Sequence, residues 1–276
     1  MTGGAGTVRL AVVTVVRDDL PGLLATRASL RAQTVAAYDW FVVDGASTDG
    51  TADWLSRHGQ EAAWWRSAPD SGLYDAMNVA LDAIAERSPS GGPPCSHVLF
   101  LNAGDRLADG RVLERLLPIL AASPDAGLFY GDALEERPGG GLVVKTARSH
   151  RRALLGMFTH HQAMVYRLAA LPCVRFDLRH ALAADYAFTL MVLKHGLPAR
   201  RLPLSVCIFA TGGRSQRDPA RGRREQAIIR RELLGLGRTA NATIWGLQWL
   251  AITLRQTIPW LYAKYRFSSN ERSFLS

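Results

Sequence analysis

Short runs rich in Val, Phe and Leu alternate with longer stretches whose apolar residues recur every three or four positions, and Gly, Pro, Asn or Asp punctuates the joins. The runs at 8–16, 39–44, 62–67, 97–102 and 127–132 are predicted as strands. Helices are predicted over 21–33, 51–58, 73–87 and 111–121. This alternation points to an α/β fold with a Rossmann-like, mostly parallel central sheet flanked by helices. Residues 88–94 (Ser-Pro-Ser-Gly-Gly-Pro-Pro) form a surface loop, because the sheet pattern resumes at once, and 138–141 form the turn of a hairpin. Beyond it the order changes to a strand at 163–167, a helix over 183–195 and a strand at 201–209, and no internal repeat is present.

Charge divides the chain in a way that the apolar pattern does not. Of a net +9, the segment 1–213 is almost neutral, with 21 Lys/Arg against 20 Asp/Glu, whereas 214–276 carries 12 against 4. We therefore divide the chain into a domain over 1–215 and a basic, amphipathic helical extension over 216–276. An apolar content of 48% excludes disorder as the default. The three cysteines, Cys95, Cys173 and Cys207, are odd in number and far apart, which argues against both a disulfide framework and a zinc site. Residues 1–7 lack the basic and apolar regions of a signal peptide, so a cytoplasmic protein is expected.

In an open α/β sheet, ligands bind beyond the carboxyl ends of the strands. Polar clusters fall there after each of the first four strands. Strand one runs through Thr14 to Arg17 and Asp18, and strand two ends in Asp44-Gly-Ala-Ser-Thr-Asp-Gly-Thr51. Strand three is followed by Asp70-Ser-Gly72-Leu-Tyr-Asp-Ala-Met-Asn78, and strand four by Asn102-Ala-Gly104-Asp105. Ser47, Thr48 and Asp49 also suit a helix cap, and Asn-x-Gly-Asp is ordinary turn chemistry. Asp44 is harder to explain structurally, since a carboxylate at the end of an apolar strand must find a partner or face a cleft. Neither the dinucleotide Gly-x-Gly-x-x-Gly nor the P-loop pattern occurs at these positions, which disfavours a dehydrogenase and an NTPase.

With these residues assembled, the chain resembles the family 2 glycosyltransferases, and most closely their exopolysaccharide and colanic-acid-type branch. The matching text is 12–16 (Val-Val-Thr-Val-Val), 29–34, 42–51, Asp70 to Asn78 and Phe100 to Asp105. A second set continues it at His161-Gln162, Ala184-Asp185-Tyr186 and Gly212-Gly-Arg214-Ser. The resemblance implies a GT-A fold and transfer of a sugar, with inversion, from a nucleotide-sugar donor such as a UDP- or GDP-sugar. It implies that Thr14, Asp44 and Asp70 border the nucleoside, with Gly72, Asn102, Gly104, His161 and Arg214 also on the donor. The family's Asp-x-Asp element falls on residues 102–105, where only Asp105 remains as a carboxylate to anchor Mg²⁺ or Mn²⁺; one or two carboxylates with phosphate oxygens and water suffice for such an ion. Asp185 matches the family's general base, which takes the acceptor's proton, with Asp177 in reserve. The usual Glu-Asp pair is Ala184-Asp185 here, so no second carboxylate shares the work.

His160 and His161 are adjacent and point to opposite faces, with no third ligand at metal spacing, so zinc is not expected. The 212–215 segment reads as a mobile loop over the diphosphate, where Arg214 or Arg217 adds positive charge. In the extension, Trp245, Trp249, Trp260, Tyr262 and Tyr265 stand among Leu and Ile, and the charge-free stretch 239–254 is too short to span a bilayer. An interfacial helix on the anionic inner face of the cell membrane is expected, with packing on the domain or on a subunit as the alternative. Nucleic acid is not an expected partner, since the charge is confined to the tail and no binding motif accompanies it. The function read from the sequence is a peripheral membrane enzyme extending a lipid-linked or polysaccharide precursor. The alternative is a catalytically idle GT-A-like scaffold, suggested by the reduced Asn-Ala-Gly-Asp motif. A sugar nucleotidyltransferase is disfavoured because 8–21 contains no Gly-rich basic loop.

Overall fold

The computed structural model of the chain describes residues 8–87, 95–136, 140–210 and 218–257. Among the described residues nine strands join one sheet in the order β3-β2-β1-β4-β8-β6-β9-β5, with β7 pairing to β6. They are β1 (Leu10–Val16), β2 (Tyr38–Asp44), β3 (Trp64–Ser67), β4 (His97–Phe100), β5 (Arg106–Leu107), β6 (Leu128–Glu136), β7 (Leu142–Lys145), β8 (Met164–Arg167) and β9 (Ala199–Phe209). The helices are α1 (Leu20–Arg31), α2 (Thr51–His58), α3 (Leu73–Glu86), α4 (Val112–Ala121), α5 (Ala184–Lys194), α6 (Pro219–Leu234) and α7 (Arg238–Thr257).

The expected elements are present, and β6 runs four residues further than the pattern suggested, because its far end pairs with both β7 and β9. Parallel pairing joins β3, β2, β1 and β4, and again β6 with β9. β8 enters antiparallel between β4 and β6. Among the described residues no α-helix separates β6 from β8, and a parallel neighbour usually needs such a crossover. The 88–94 loop and the first two residues of the 138–141 hairpin turn expected from the sequence lie outside the described residues.

Every residue of β1 is buried, as a central strand covered on both faces requires. Alternation sends Val13 and Val15 into one core with Phe100, Tyr166 and Phe188, and Val12 and Val16 into the other with Trp40, Leu113 and Phe129. The chain leaves β1 to build β2 and β3 on one side and β4 on the other. The carboxyl ends of β1 and β4 therefore diverge into loops on opposite sides of a switch point, where a crevice forms.

Candidate functional site

A cavity of about 800 Å³ opens at that crevice. Its walls include Val15 to Asp19 after β1, Asp70 to Tyr74 at the start of α3, and Asn102 to Asp105 after β4. The 157–162 turn, Leu182 and Asp185 at α5, and Gln226 of α6 complete it. Of the residues expected on the donor, Asp70, Gly72, Asn102, Gly104 and His161 line this one space, together with Asp105, expected at the metal, and Asp185, expected as the base. Arg214 and the 212–215 loop lie outside the described residues.

Thr14 and Asp44 do not line it. Strand alternation turns both toward the second core, where Trp40 Nε1 donates to Thr14 Oγ1 at 2.9 Å and Asp44 is fully buried. Asp44 is satisfied by hydroxyls: Ser47 and Ser67 both donate to it. Its reach to the cleft is indirect, since Ser47 Oγ accepts the Asp18 N–H at 2.7 Å. Asp18 in turn accepts the Thr48 N–H at 2.7 Å, and Asp49 accepts the Leu20 N–H at 2.7 Å. Asp18 (φ 51°) and Ala46 (φ 58°) both hold left-handed backbone in these loops. Non-glycine residues adopt it at a cost, and the interlocking bonds hold it there. Asp70 packs against the same lock, since a Cβ on Gly45 would stand 2.8 Å from its Oδ2.

Gly72 begins α3 at φ 120°, ψ −177°, a conformation essentially reserved for glycine, and the space around its Cα is open. Gly104 (φ 89°) makes the turn that carries Asp105 beneath Ala210. The register of β5 on β9 pairs Arg106 with Ile208, so Asp105 meets the residues just past β9. Its Oδ1 accepts the Ala210 N–H at 2.9 Å. Burial pushes its carboxyl up to about 7 against the bonds from Ala210 and Gln162. Asn102 Oδ1 is buried with no partner among the described residues. Asp105 and this unpartnered Asn102 amide oxygen belong to residues that line the same cleft. Together they fit a hard cation that takes its other ligands from phosphate and water, and no cluster of three or more His, Cys, Asp or Glu suited to a metal occurs among the described residues.

His161 stacks on Phe100 with centroids 5.0 Å apart and meets Phe176 edge-on at 5.6 Å. Burial pushes its imidazole down to about 3, so it is neutral, and its Nε2 has no partner among the described residues. His160 turns the other way, stacking on Phe209 at 4.2 Å and bonding Glu135 at 2.7 Å. The His160 and Lys145 side chains hold the Glu135 carboxyl down to about 2.

Asp185 sits in the first turn of α5. Burial pushes its carboxyl up to about 6, against a bond from the Tyr186 N–H at 2.8 Å and the influence of the neighbouring Tyr74 hydroxyl. Here burial outweighs the helix dipole, which favours the ionised form. Asp177, the reserve base, is bound to Arg179 at 2.6 Å and lies outside the cleft lining. Tyr74 and Gln226 were not singled out from the sequence; Tyr74 lay within the 70–78 match, but nothing marked Gln226, inside an Arg-rich helix, as a wall of the cleft. Glu225, buried on α6 and not singled out from the sequence, reaches the start of α5 and accepts the Leu182 N–H at 2.8 Å and the Ala183 N–H at 3.0 Å.

Among the described residues no helix is long and apolar enough to cross a membrane. α7 packs through Asn241, Ile244 and Gln248, the last donating to Leu155 O at 2.8 Å. It exposes Trp245, Leu247, Trp249 and Leu250, and Leu154 and Leu155 are exposed beside Gln248's anchor. Trp260, Tyr262 and Tyr265 lie outside the described residues.

No family model matches the chain. It is 28% identical over 257 residues to an uncharacterized glycosyltransferase of Mycobacterium tuberculosis, covering 89% of this chain and 94% of the relative. A PGL/p-HBAD biosynthesis glycosyltransferase of Mycobacterium bovis is 28% identical over 171 residues, 59% of this chain and 60% of that one. Among solved structures, S. aureus TarS 1–349 in complex with UDP superposes with a TM-score of 0.62 at 17% identity, over 91% of this chain and 74% of that one. The mannosyltransferase PcManGT from Pyrobaculum calidifontis, in complex with GDP-Man and Mn²⁺, gives 0.62 at 16% identity, over 94% and 83%. The fold is the GT-A fold expected from the sequence, and the relatives support a glycosyltransferase.

Proposed function

We propose that this chain, as a glycosyltransferase of the GT-A fold, moves a sugar from a nucleoside-diphosphate donor to a hydroxyl of a lipid-linked oligosaccharide or polysaccharide precursor, with inversion. The observation that carries the reading is the gathering of Asp70, Asp105 and Asp185, far apart in sequence, around one cavity of about 800 Å³, ample for a sugar nucleotide. UDP in TarS and GDP-Man in PcManGT support the donor class. The nucleoside lies against the lock of Asp18, Ser47 and Asp70, and the diphosphate lies toward Gly104 and Asp105. Asp105 and Asn102 would hold a divalent cation, which when bound supplies positive charge against the diphosphate leaving group.

Asp185 takes the proton of the acceptor hydroxyl as its oxygen attacks the anomeric carbon on the face opposite the diphosphate. A carboxyl near 6 is mostly ionised at neutral pH yet basic enough to accept that proton. Neutral His161, fixed by its aromatic neighbours, offers Nε2 to the donor or acceptor without adding charge. The basic extension, with the exposed tryptophans of α7, holds the enzyme on the anionic cytoplasmic face of the membrane, where a lipid-linked acceptor is found.

The direct test is a thermal-shift panel of UDP-, GDP- and dTDP-sugars with and without Mn²⁺, followed by donor turnover. We expect one base to stabilise the protein selectively, more strongly with Mn²⁺, and EDTA to abolish turnover. Donor binding without turnover of any sugar would instead indicate an idle nucleotide-sugar-binding scaffold, and no shift with any donor would remove the reading.

A further inference from the structure

The first turn of α5 has no cap of its own. Its N-cap residue is Ala183, which offers no side-chain acceptor, and Ala184 leaves Asp185 without an acidic neighbour on that helix. Helix starts present N–H groups that need acceptors, and burial makes an unmet one costly. Glu225, only 7% exposed, reaches the entry to this helix from α6: its Oε2 accepts the N–H of the N-cap residue Ala183 and that of Leu182 just before it. Its Oε1 accepts from Arg221 Nε at 3.0 Å. Leu182 is fastened a second time, by the Tyr74 hydroxyl donating to its carbonyl at 3.2 Å.

We propose that Glu225 is the positioning residue for Asp185, clamping the Leu182–Ala183 turn so that the Asp185 carboxylate is held at the cleft, with a like charge behind it. This rests on the reading of Asp185 as the general base. Glu225 is itself no catalytic group, for both its oxygens are engaged away from the cavity. Three elements besides α5 supply the titratable and charged groups around Asp185: Tyr74 from α3, Tyr166 from β8, and Glu225 with Arg221 from α6. Arg230 of α6 stands behind, beside Tyr186. Burial is the main force raising the Asp185 carboxyl, and the Glu225 charge acts in the same direction. A plain structural cap would need only an acceptor oxygen, whereas the positioning role needs the charge as well.

Two variants separate these roles, because Glu225→Gln keeps an acceptor oxygen and removes the charge, whereas Arg221→Gln leaves that charge less neutralised. The Asp185 carboxyl is followed by ¹³C NMR in the apo protein, its signal identified by its loss in Asp185→Asn. We expect its titration to move to lower pH in Glu225→Gln and to higher pH in Arg221→Gln, with melting curves confirming that both fold. Turnover of the donor found in the thermal-shift panel should lose up to about 10-fold in kcat in Glu225→Gln at unchanged donor KM, because a less basic Asp185 takes the acceptor proton less readily. Titrations unmoved in both variants, or an unchanged kcat in Glu225→Gln, while Asp185→Asn is inactive, would reduce Glu225 to a structural cap. Turnover surviving in Asp185→Asn would overturn the base assignment itself, a separate failure that the NMR arm does not share.

Discussion

Asp185 is an acid held where water is scarce, and this has opposite consequences for chemistry and for stability. As the proposed base, it should be indispensable: Asp185→Asn is expected to lower kcat by about 10²- to 10⁴-fold with donor affinity retained, read by steady-state kinetics beside donor titration. For stability, the carboxyl rises from 3.8 to about 6 on folding. The contribution is therefore complete below about 4 and disappears as pH rises through 6, because the unfolded chain gives up its proton first. Asp185→Asn should accordingly melt higher than the wild type at pH 8, with the difference narrowing as pH falls toward 4, in thermal melts across that range. Gly72 makes a different demand. At φ 120° a Cβ is strained although nothing stands near it, so Gly72→Ala should cost about 1–3 kcal/mol in urea unfolding. Both residues were legible in the sequence because each sits in a short motif beside a strand or helix boundary. Thr14 and Asp44 were legible as polar residues in apolar strands, but the face each presents depends on sheet alternation and on Trp40, Ser47 and Ser67, which no single-strand pattern reveals.

The elements behave as interlocked pairs of loops. The β1 and β2 loops exchange bonds through Asp18, Ser47, Thr48 and Asp49, and this exchange holds left-handed backbone at Asp18 and Ala46. Ser47 is central, giving its hydroxyl to buried Asp44 and accepting the Asp18 amide. Ser47→Ala should destabilise the fold by about 1–3 kcal/mol, as expected for a buried acceptor losing its donor. Because the same lock borders the cleft, the variant should also weaken donor binding, measured by calorimetry. Strand and helix positions were readable from periodicity, since each strand's apolar run is set by its own burial. The antiparallel entry of β8 was not, because orientation is decided by the connection from β6, whose short turns carry no periodic signal.

At the scale of the molecule, the chain's charge asymmetry and the exposed face of α7 point the same way. Trp245 and Trp249, 47% and 57% exposed, stand one turn apart on a helix that follows the Arg-rich α6. Changing both to Ser should weaken binding to anionic vesicles by about tenfold or more in co-sedimentation, with donor turnover in solution unaffected. Loss of turnover with unchanged vesicle binding would assign these rings to packing instead. Composition made the basic tail visible, but its entry into the cleft was hidden, because Gln226 reaches the cleft, and Glu225 the start of α5, only through tertiary packing of α6 on α5. That packing restricts how such an enzyme can be re-addressed. Exchanging its tail for that of a relative would also exchange one wall of the cleft, so any surface the tail meets and the shape of the cleft would change together.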